Sequence, residues 1–372
     1  MPDAKSICYN RCMIVDLTTP SVLPLIDRKL IAGIDVGGTK VHIADTKSTV
    51  VKRYSTTEFA SLDEVLAKYF QEISARPSRI MVGMAGPRDD ETGAIKLTNL
   101  DWPAFDPRAA TKRYGVIFST ANDMVITMAG ALHETGINLH QLKAGTVATT
   151  GTKLVVTLST GVGTATAVWD EMTERYVIAA GEGGHIGFQP KTDHEQQYAA
   201  HLHSKYPHAS LELALSGKHG IDNLIEHLLN PTKTRDLAQS IERAQKAHRP
   251  VGAVLLEYAT EGTGIDKQAA QFILQLMGDI LGSALRDLAV SCKATGGIYL
   301  TGSVALGLGE YLAENTDFQS RFICEGATHD TWLAKTPIYL LTDPNIAVQG
   351  ALALAKDLKS EIQESHTNPI AA

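Results

Sequence analysis

Cysteine is scarce in this chain: Cys8, Cys12, Cys292 and Cys324 are the only four among 372 residues. So few scattered thiols cannot frame a disulfide scaffold in a chain of this size, and they read as free thiols of a reducing compartment, the cytoplasm. None falls between Cys12 and Cys292, so no histidine in the middle of the chain has the thiolate neighbours of a structural zinc site. A basic excess is missing too. Lys and Arg number 34 against 41 Asp and Glu, a net charge of −7, which gives neither nucleic acid nor an anionic membrane any electrostatic pull. No apolar run approaches the ~20 residues of a membrane span, and the N-terminal MPDAKSICYNRCMIVDL lacks the unbroken apolar core of a secretory signal. What remains is an ordinary globular composition, 44% hydrophobic and 20% charged, in a chain long enough for two domains.

The most informative stretch is IAGIDVGGTK at 31–40. Ile31, Ala32 and Ile34 predict a buried strand that Asp35 ends. Gly37, Gly38 and Thr39 then make a tight turn whose N–H groups can face an anion, with Lys40 just beyond. Asp35 is placed to hold a hydrated metal ion against that anion. Val41, Ile43 and Ala44 resume the strand pattern, so this is a hairpin and not the strand–loop–helix of a P-loop. A glycine pair after a strand is also an ordinary turn. A second copy changes the balance: LVVTLSTGVGTATAV at 154–168 places Ser159, Thr160, Gly161 and Gly163 between two β-branched strands. Two such hairpins predict similar half-domains facing each other across a cleft, an arrangement that resembles the actin-like (ribonuclease H-like) fold of sugar kinases and ATPases.

Strand and helix patterns alternate along the rest, which predicts an α/β architecture. Residues 1–30 read as an N-terminal extension, in which VLPLI at 22–26 can dock on the body. Residues 31–133 together with 337–372 form a small lobe and 134–336 a large one, the last helix returning to the first lobe. Histidines 194, 201, 203 and 208 lie in a polar stretch without ligand spacing and read as part of a solvated loop.

Four segments carry candidate chemistry. Asn122 and Asp123 follow a buried strand, where open α/β sheets bind ligands, and either residue also suits a helix N-cap. In GEGGHIGFQP at 181–190, glycines let Glu182 and His185 converge on one small ligand. Glu212 stands one turn into a helix, where it also complements the helix dipole. Gly302 and Ser303 follow a buried strand, as an adenine-side turn or a plain strand-to-helix turn.

In this order the segments IDVGGTK, TNLDWP (98–103), ANDM (121–124), STGVGT, GEGGHIGF, LELALSG (211–217) and TGS (301–303) resemble the bacterial-type glucokinase family over residues 31–358. The resemblance implies ATP-dependent phosphorylation of the 6-hydroxyl of glucose, a step of glycolysis. Asn99, Asn122, Asp123, Glu182, His185 and Glu212 would bind the sugar, with Asp123 as the catalytic base. Asp35, Gly37, Gly38, Thr39, Lys40, Ser159, Thr160, Gly161, Gly163, Gly302 and Ser303 would hold ATP. Mg²⁺ would arrive with the nucleotide, Asp35 being the protein group nearest to it. A cytoplasmic homodimer is the family expectation. Leu158-Ser159 and Ser303 depart from the family pattern, both on the nucleotide side. A pyranose suits such a pocket because each hydroxyl both donates and accepts.

Three rivals make different demands. A zinc-containing sugar-kinase relative needs cysteines near His185. A DNA-binding repressor needs more N-terminal sequence than a leader containing Pro20 and Pro24 offers, and an opposite charge. An actin-like ATPase needs no hydroxyl-reading cluster. A kinase for another hexose, such as mannose or glucosamine, stays compatible with the residues.

Overall fold

The computed structural model describes residues 23–358 apart from 135, 137, 230, 231, 248 and 250; Cys8 and Cys12 lie outside them. The first sheet holds β1 (Ile26–Val36), β2 (Lys40–Asp45), β3 (Lys52–Ser55), β4 (Arg76–Met84) and β5 (Ile117–Asn122), in the order β3-β2-β1-β4-β5. The second holds β6 (Leu139–Lys143), β7 (Lys153–Leu158), β8 (Val162–Asp170), β9 (Arg175–Gly181), β10 (Ile298–Thr301) and β11 (Ile338–Leu341), in the order β6-β11-β10-β7-β8-β9. Read from β9 to β11, the second sheet repeats the first. An antiparallel three-strand meander (β1-β2-β3, then β7-β8-β9) is followed by two parallel strands, and β6 is added antiparallel at the far edge. The duplicated α/β architecture expected from the two hairpins is what the chain adopts.

Helices of the first half are α1 (Leu62–Gln71), α2 (Pro107–Tyr114) and α3 (Asp123–His133). The second half adds α4 (Asp193–Lys205), α5 (Leu211–Leu215), α6 (Gly220–Leu228), α7 (Arg235–Lys246), α8 (Val251–Glu261), α9 (Gly264–Cys292), α10 (Ser303–Glu314), α11 (Thr316–Ile323) and α12 (Asp330–Lys335), before the closing α13 (Ile346–Asp357). Among the described residues no helix is long and apolar enough to cross a membrane.

Three sequence expectations need correction. The first strand starts at Ile26, so residues 26–30 are not an extension: Ile26 and Asp27 pair with Arg76 and Pro77, ahead of a register shift before Ile31. Residues 26–29 bury little, which is why no apolar pattern announced them. The second correction concerns the boundary at 337. Ile338–Leu341 is β11, paired with β10 and β6 in the second sheet, so only the chain beyond it returns to the first. The third concerns the histidines. His194, His201 and His203 sit on α4, a helix held by the buried Tyr198, Ala199 and Leu202.

Helices α3 and α13 stand between the sheets. Ile126, Val348 and Ala351 pack with Ile31, Ala44 and Met81 of the first sheet. Met124, Met128 and Ile346 pack with Val155, Ala165 and Tyr299 of the second. Apolar residues on two faces of α3 therefore place its N-terminus, Asp123, where the halves meet.

Candidate active site

The C-terminal ends of β1, β4 and β5 stand side by side, Val36 opposite Met84 and Met84 opposite Asn122. Two strand spacings, roughly 10 Å, thus separate the glycine turn after β1 from Asp123. Asn122 is the cap of α3, its side-chain oxygen accepting from the Met124 N–H at 2.9 Å. Asp123 accepts from the same N–H at 3.0 Å, so the cap does not depend on it. Burial pushes the Asp123 carboxyl above its usual range. The negative charge of Asp35 adds to the shift and that of Glu182 adds less, while the bond from Met124 opposes it. Asp35 itself lies 3.5 Å from Nδ1 of His42. Asp123 thus feels the charge of two carboxylates from other elements, Asp35 and Glu182.

The turn of three-residue pitch at Gly183–His185 follows β9. Gly184 lies so close to β8 that a Cβ there would stand 2.0 Å from the Val162 carbonyl oxygen. The Gly183 N–H donates to Thr164 Oγ1 at 3.0 Å. These contacts fix Glu182 and His185, whose Oε2 and Nε2 are 3.6 Å apart on side chains 86% and 61% exposed. The following residues clip onto the segment leading to α5: the Phe188 N–H donates to Ala209 O at 2.7 Å, and the Leu211 N–H to Ile186 O at 2.9 Å. His208, read in the sequence as a loop residue, donates through Nε2 to the His185 carbonyl at 3.0 Å. Glu212, in the first turn of α5, is thereby held beside the same loop. Its Oε2 accepts from the Val162 N–H at 2.9 Å.

Of the glycines assigned to the nucleotide, Gly37 has room for a Cβ, with Lys40 O at an ordinary 3.4 Å, and Gly38 has more. A Cβ there would meet only Asn99 Cβ, at an ordinary 3.8 Å, so the fold does not demand glycine. The turn is held by Gly37 N–H to Lys40 O, Thr56 Oγ1 to Gly38 O and Thr56 N–H to Thr39 O, each 3.0 Å. In the second hairpin the Ser159 N–H donates to Gly161 O at 2.9 Å. Gly163 is fixed by packing instead, since a Cβ would stand 2.5 Å from the Met124 sulfur. Gly302 is accounted for without a ligand: its φ is 101° and a Cβ would stand 2.4 Å from Leu158 O.

A cavity of about 1090 Å³ gathers Gly38, Thr39 and Asn99 from the first half with Thr160, Gly161, His185 and Glu212 from the second. Of the other residues expected in the site, Asp35, Gly37, Lys40, Asn122, Asp123, Ser159, Gly163, Glu182, Gly302 and Ser303 are not on its walls. Lys96, Asp101, Lys218 and His219 are, and the sequence did not single them out as site residues. Asp101 lies within the recognised segment TNLDWP, while Lys96 stands just before it and Lys218 and His219 just after LELALSG, and only that position could have marked them. Among the described residues no group of three His, Cys, Asp or Glu side chains is arranged to hold a metal ion. Elemental analysis of the purified protein is expected to find no stoichiometric zinc and activity is expected to survive EDTA once Mg²⁺ is restored; one zinc per chain would contradict this.

A family profile described as Glucokinase matches residues 31–358. The chain is 26% identical over 325 residues to a glucokinase of Chromohalobacter salexigens, covering 85% of this chain and 94% of that protein. Among solved structures, a glucokinase from an Antarctic psychrotroph superposes with a TM-score of 0.74 at 24% identity, over 89% of this chain and 100% of the other. A ROK family glucokinase from Streptomyces griseus, solved with glucose and AMPPNP, superposes with a TM-score of 0.60 at 17% identity, over 88% of this chain and 100% of its own.

Proposed function

Because the chain belongs to the glucokinase family, we propose that it transfers the γ-phosphoryl group of ATP to the 6-hydroxyl of glucose. The single observation that carries this reading is the shared cavity, where a glycine turn with no packing reason for Gly38 faces His185, Glu212 and Asn99. A fold relative solved with glucose and AMPPNP supports the same pair of ligands.

In this reading Asn99, Asn122, Glu182, His185 and Glu212 bind the sugar hydroxyls. A missing or inverted hydroxyl would leave one of these groups unpaired, which is how polar pockets discriminate. Gly38, Thr39, Thr160 and Gly161 approach the phosphates, with Gly37, Lys40, Ser159 and Gly163 supporting the two hairpins. The 6-oxygen attacks the γ-phosphorus and the bond to the bridging oxygen of ADP breaks. The hydroxyl proton passes to the Asp123 carboxylate, so charge and atoms balance. Burial and the neighbouring Asp35 raise the proton affinity of that carboxylate, which suits a base. Asp35 offers one carboxylate oxygen set, and Mg²⁺ characteristically takes one or two carboxylates together with substrate phosphates. Such an ion would neutralise charge on the transferring group. The reaction product, cytoplasmic location and a homodimeric state are the family expectations this reading adopts.

A coupled assay with ATP and a hexose panel tests it. ADP release that depends on glucose, with little for galactose, is the expected result. A stronger response to mannose or glucosamine would move the substrate to another hexose, and full-rate ATP hydrolysis without sugar would replace the kinase reading by an ATPase.

A further inference from the structure

The second hairpin is a poorer anion cradle than its sequence promised. Its Val162 N–H is already taken by Glu212 Oε2 at 2.9 Å, and a Cβ on Gly161 would stand 2.6 Å from that same oxygen. A carboxylate seated in the turn repels a phosphate. Asp101 lines the same cavity as Glu212. The cavity wall sets Lys96 and Lys218 against these two acids. Of the two lysines only Lys218 is clipped to the second hairpin, where an ATP phosphate needs a positive charge to offset Glu212.

The geometry points to Lys218 as that cation, binding the β- and γ-phosphates of the nucleotide. This assignment rests on the kinase reading and adds to it a residue outside the motifs. Lys218 lines the cavity. Its own N–H donates to Thr160 O at 3.2 Å, and the preceding Gly217 N–H donates to Ser159 O at 2.6 Å. The backbone bearing the lysine is thus clipped along the second hairpin. Gly217 permits the approach, because a Cβ would stand 2.8 Å from Ser159 O. On the other side, Ser216 Oγ accepts from the N–H groups of His219 and Gly220 at 3.2 and 3.3 Å, which fixes the turn into α6. Among the described residues no ion pair involves the Lys218 ammonium group, so its charge is available. An ammonium on a short, fixed turn meets a phosphate as a point charge.

Calorimetry with AMPPNP and with AMP, on the wild type and on Lys218→Gln and Lys218→Arg, separates the outcomes. Lys218→Gln is expected to weaken AMPPNP about tenfold or more, as loss of a charged hydrogen bond does. AMP, which lacks the outer phosphates, should bind as before. Lys218→Arg should restore most of the AMPPNP affinity, and the gap between wild type and Lys218→Gln should narrow with salt. Glucose KM should stay put. Equal loss for AMP and AMPPNP would make Lys218 a prop for the turn, and unchanged AMPPNP affinity would remove it from the site; either overturns the assignment. Wild-type protein that binds AMPPNP through Lys218 yet leaves glucose unphosphorylated would overturn the kinase reading instead.

Discussion

Asp123→Asn is expected to lower kcat by about 10²–10⁴-fold, the span of a positioned general base, and to raise the melting temperature near neutral pH. The two effects have one origin. Burial, then Asp35, lifts the folded-state affinity of Asp123 for its proton above that of the unfolded chain. For a carboxylate shifted upward, the folded state binds more protons than the unfolded one. The stability this confers is therefore present below the ordinary carboxylate range and is lost as pH rises through the folded-state value. At neutral pH the protein carries that buried charge as a cost, and asparagine removes it. The substitution preserves an oxygen to accept from Met124 N–H, and the helix cap stays with Asn122. Glucose affinity should change far less than kcat, since the other groups proposed to bind hydroxyls remain. The acid limb of kcat/KM in the wild type should correspondingly lie above the range of an exposed aspartate. A normal kcat with a lowered melting temperature would remove Asp123 from the chemistry and leave it as part of the helix start.

The fold was legible because its signal is local. Glycine turns flanked by β-branched runs announce hairpins wherever they occur, and two of them announced the duplication that the strand orders display. The start of β1 was not legible, because residues 26–29 gain their place by pairing with Arg76 and Pro77 while burying little. The helix α4 was hidden by its polar surface; its anchors Tyr198, Ala199 and Leu202 are few among histidines and acids. Within the site, the motif acids were readable as residue types, but the partners that hold them came only with tertiary structure. His208 on the His185 carbonyl and Thr164 under Gly183 are of that kind. Glycine is the sharpest case. Gly38 and Gly302 look alike in sequence, yet only Gly302 is demanded by the fold, through its positive φ and the Leu158 carbonyl beneath it.

That contrast among glycines yields the second large expectation, at Gly184. A methyl group there would stand 2.0 Å from the Val162 carbonyl oxygen. The obstacle is backbone at the start of β8, where Val162 pairs with Leu158, so it cannot swing aside as a side chain would. Gly184→Ala must therefore lift the turn bearing Glu182 and His185 off the strand. Overpacking of this kind costs about 1–3 kcal/mol of stability. The displaced side chains would no longer face Glu212 in register, and a misplacement near 1 Å costs on the order of 10²-fold in rate. The loss should fall on kcat/KM for glucose, while AMPPNP affinity changes little because Thr160, Gly161 and Lys218 are untouched. Gly38→Ala is the mirror experiment. With only Asn99 Cβ at 3.8 Å to meet, it should hold stability within about 0.5 kcal/mol and weaken AMPPNP without touching glucose. Wild-type stability and glucose kinetics in Gly184→Ala would show that the turn is not fastened to β8 as described. Equal stability losses in the two variants would erase the distinction between a glycine kept for packing and one kept for a ligand.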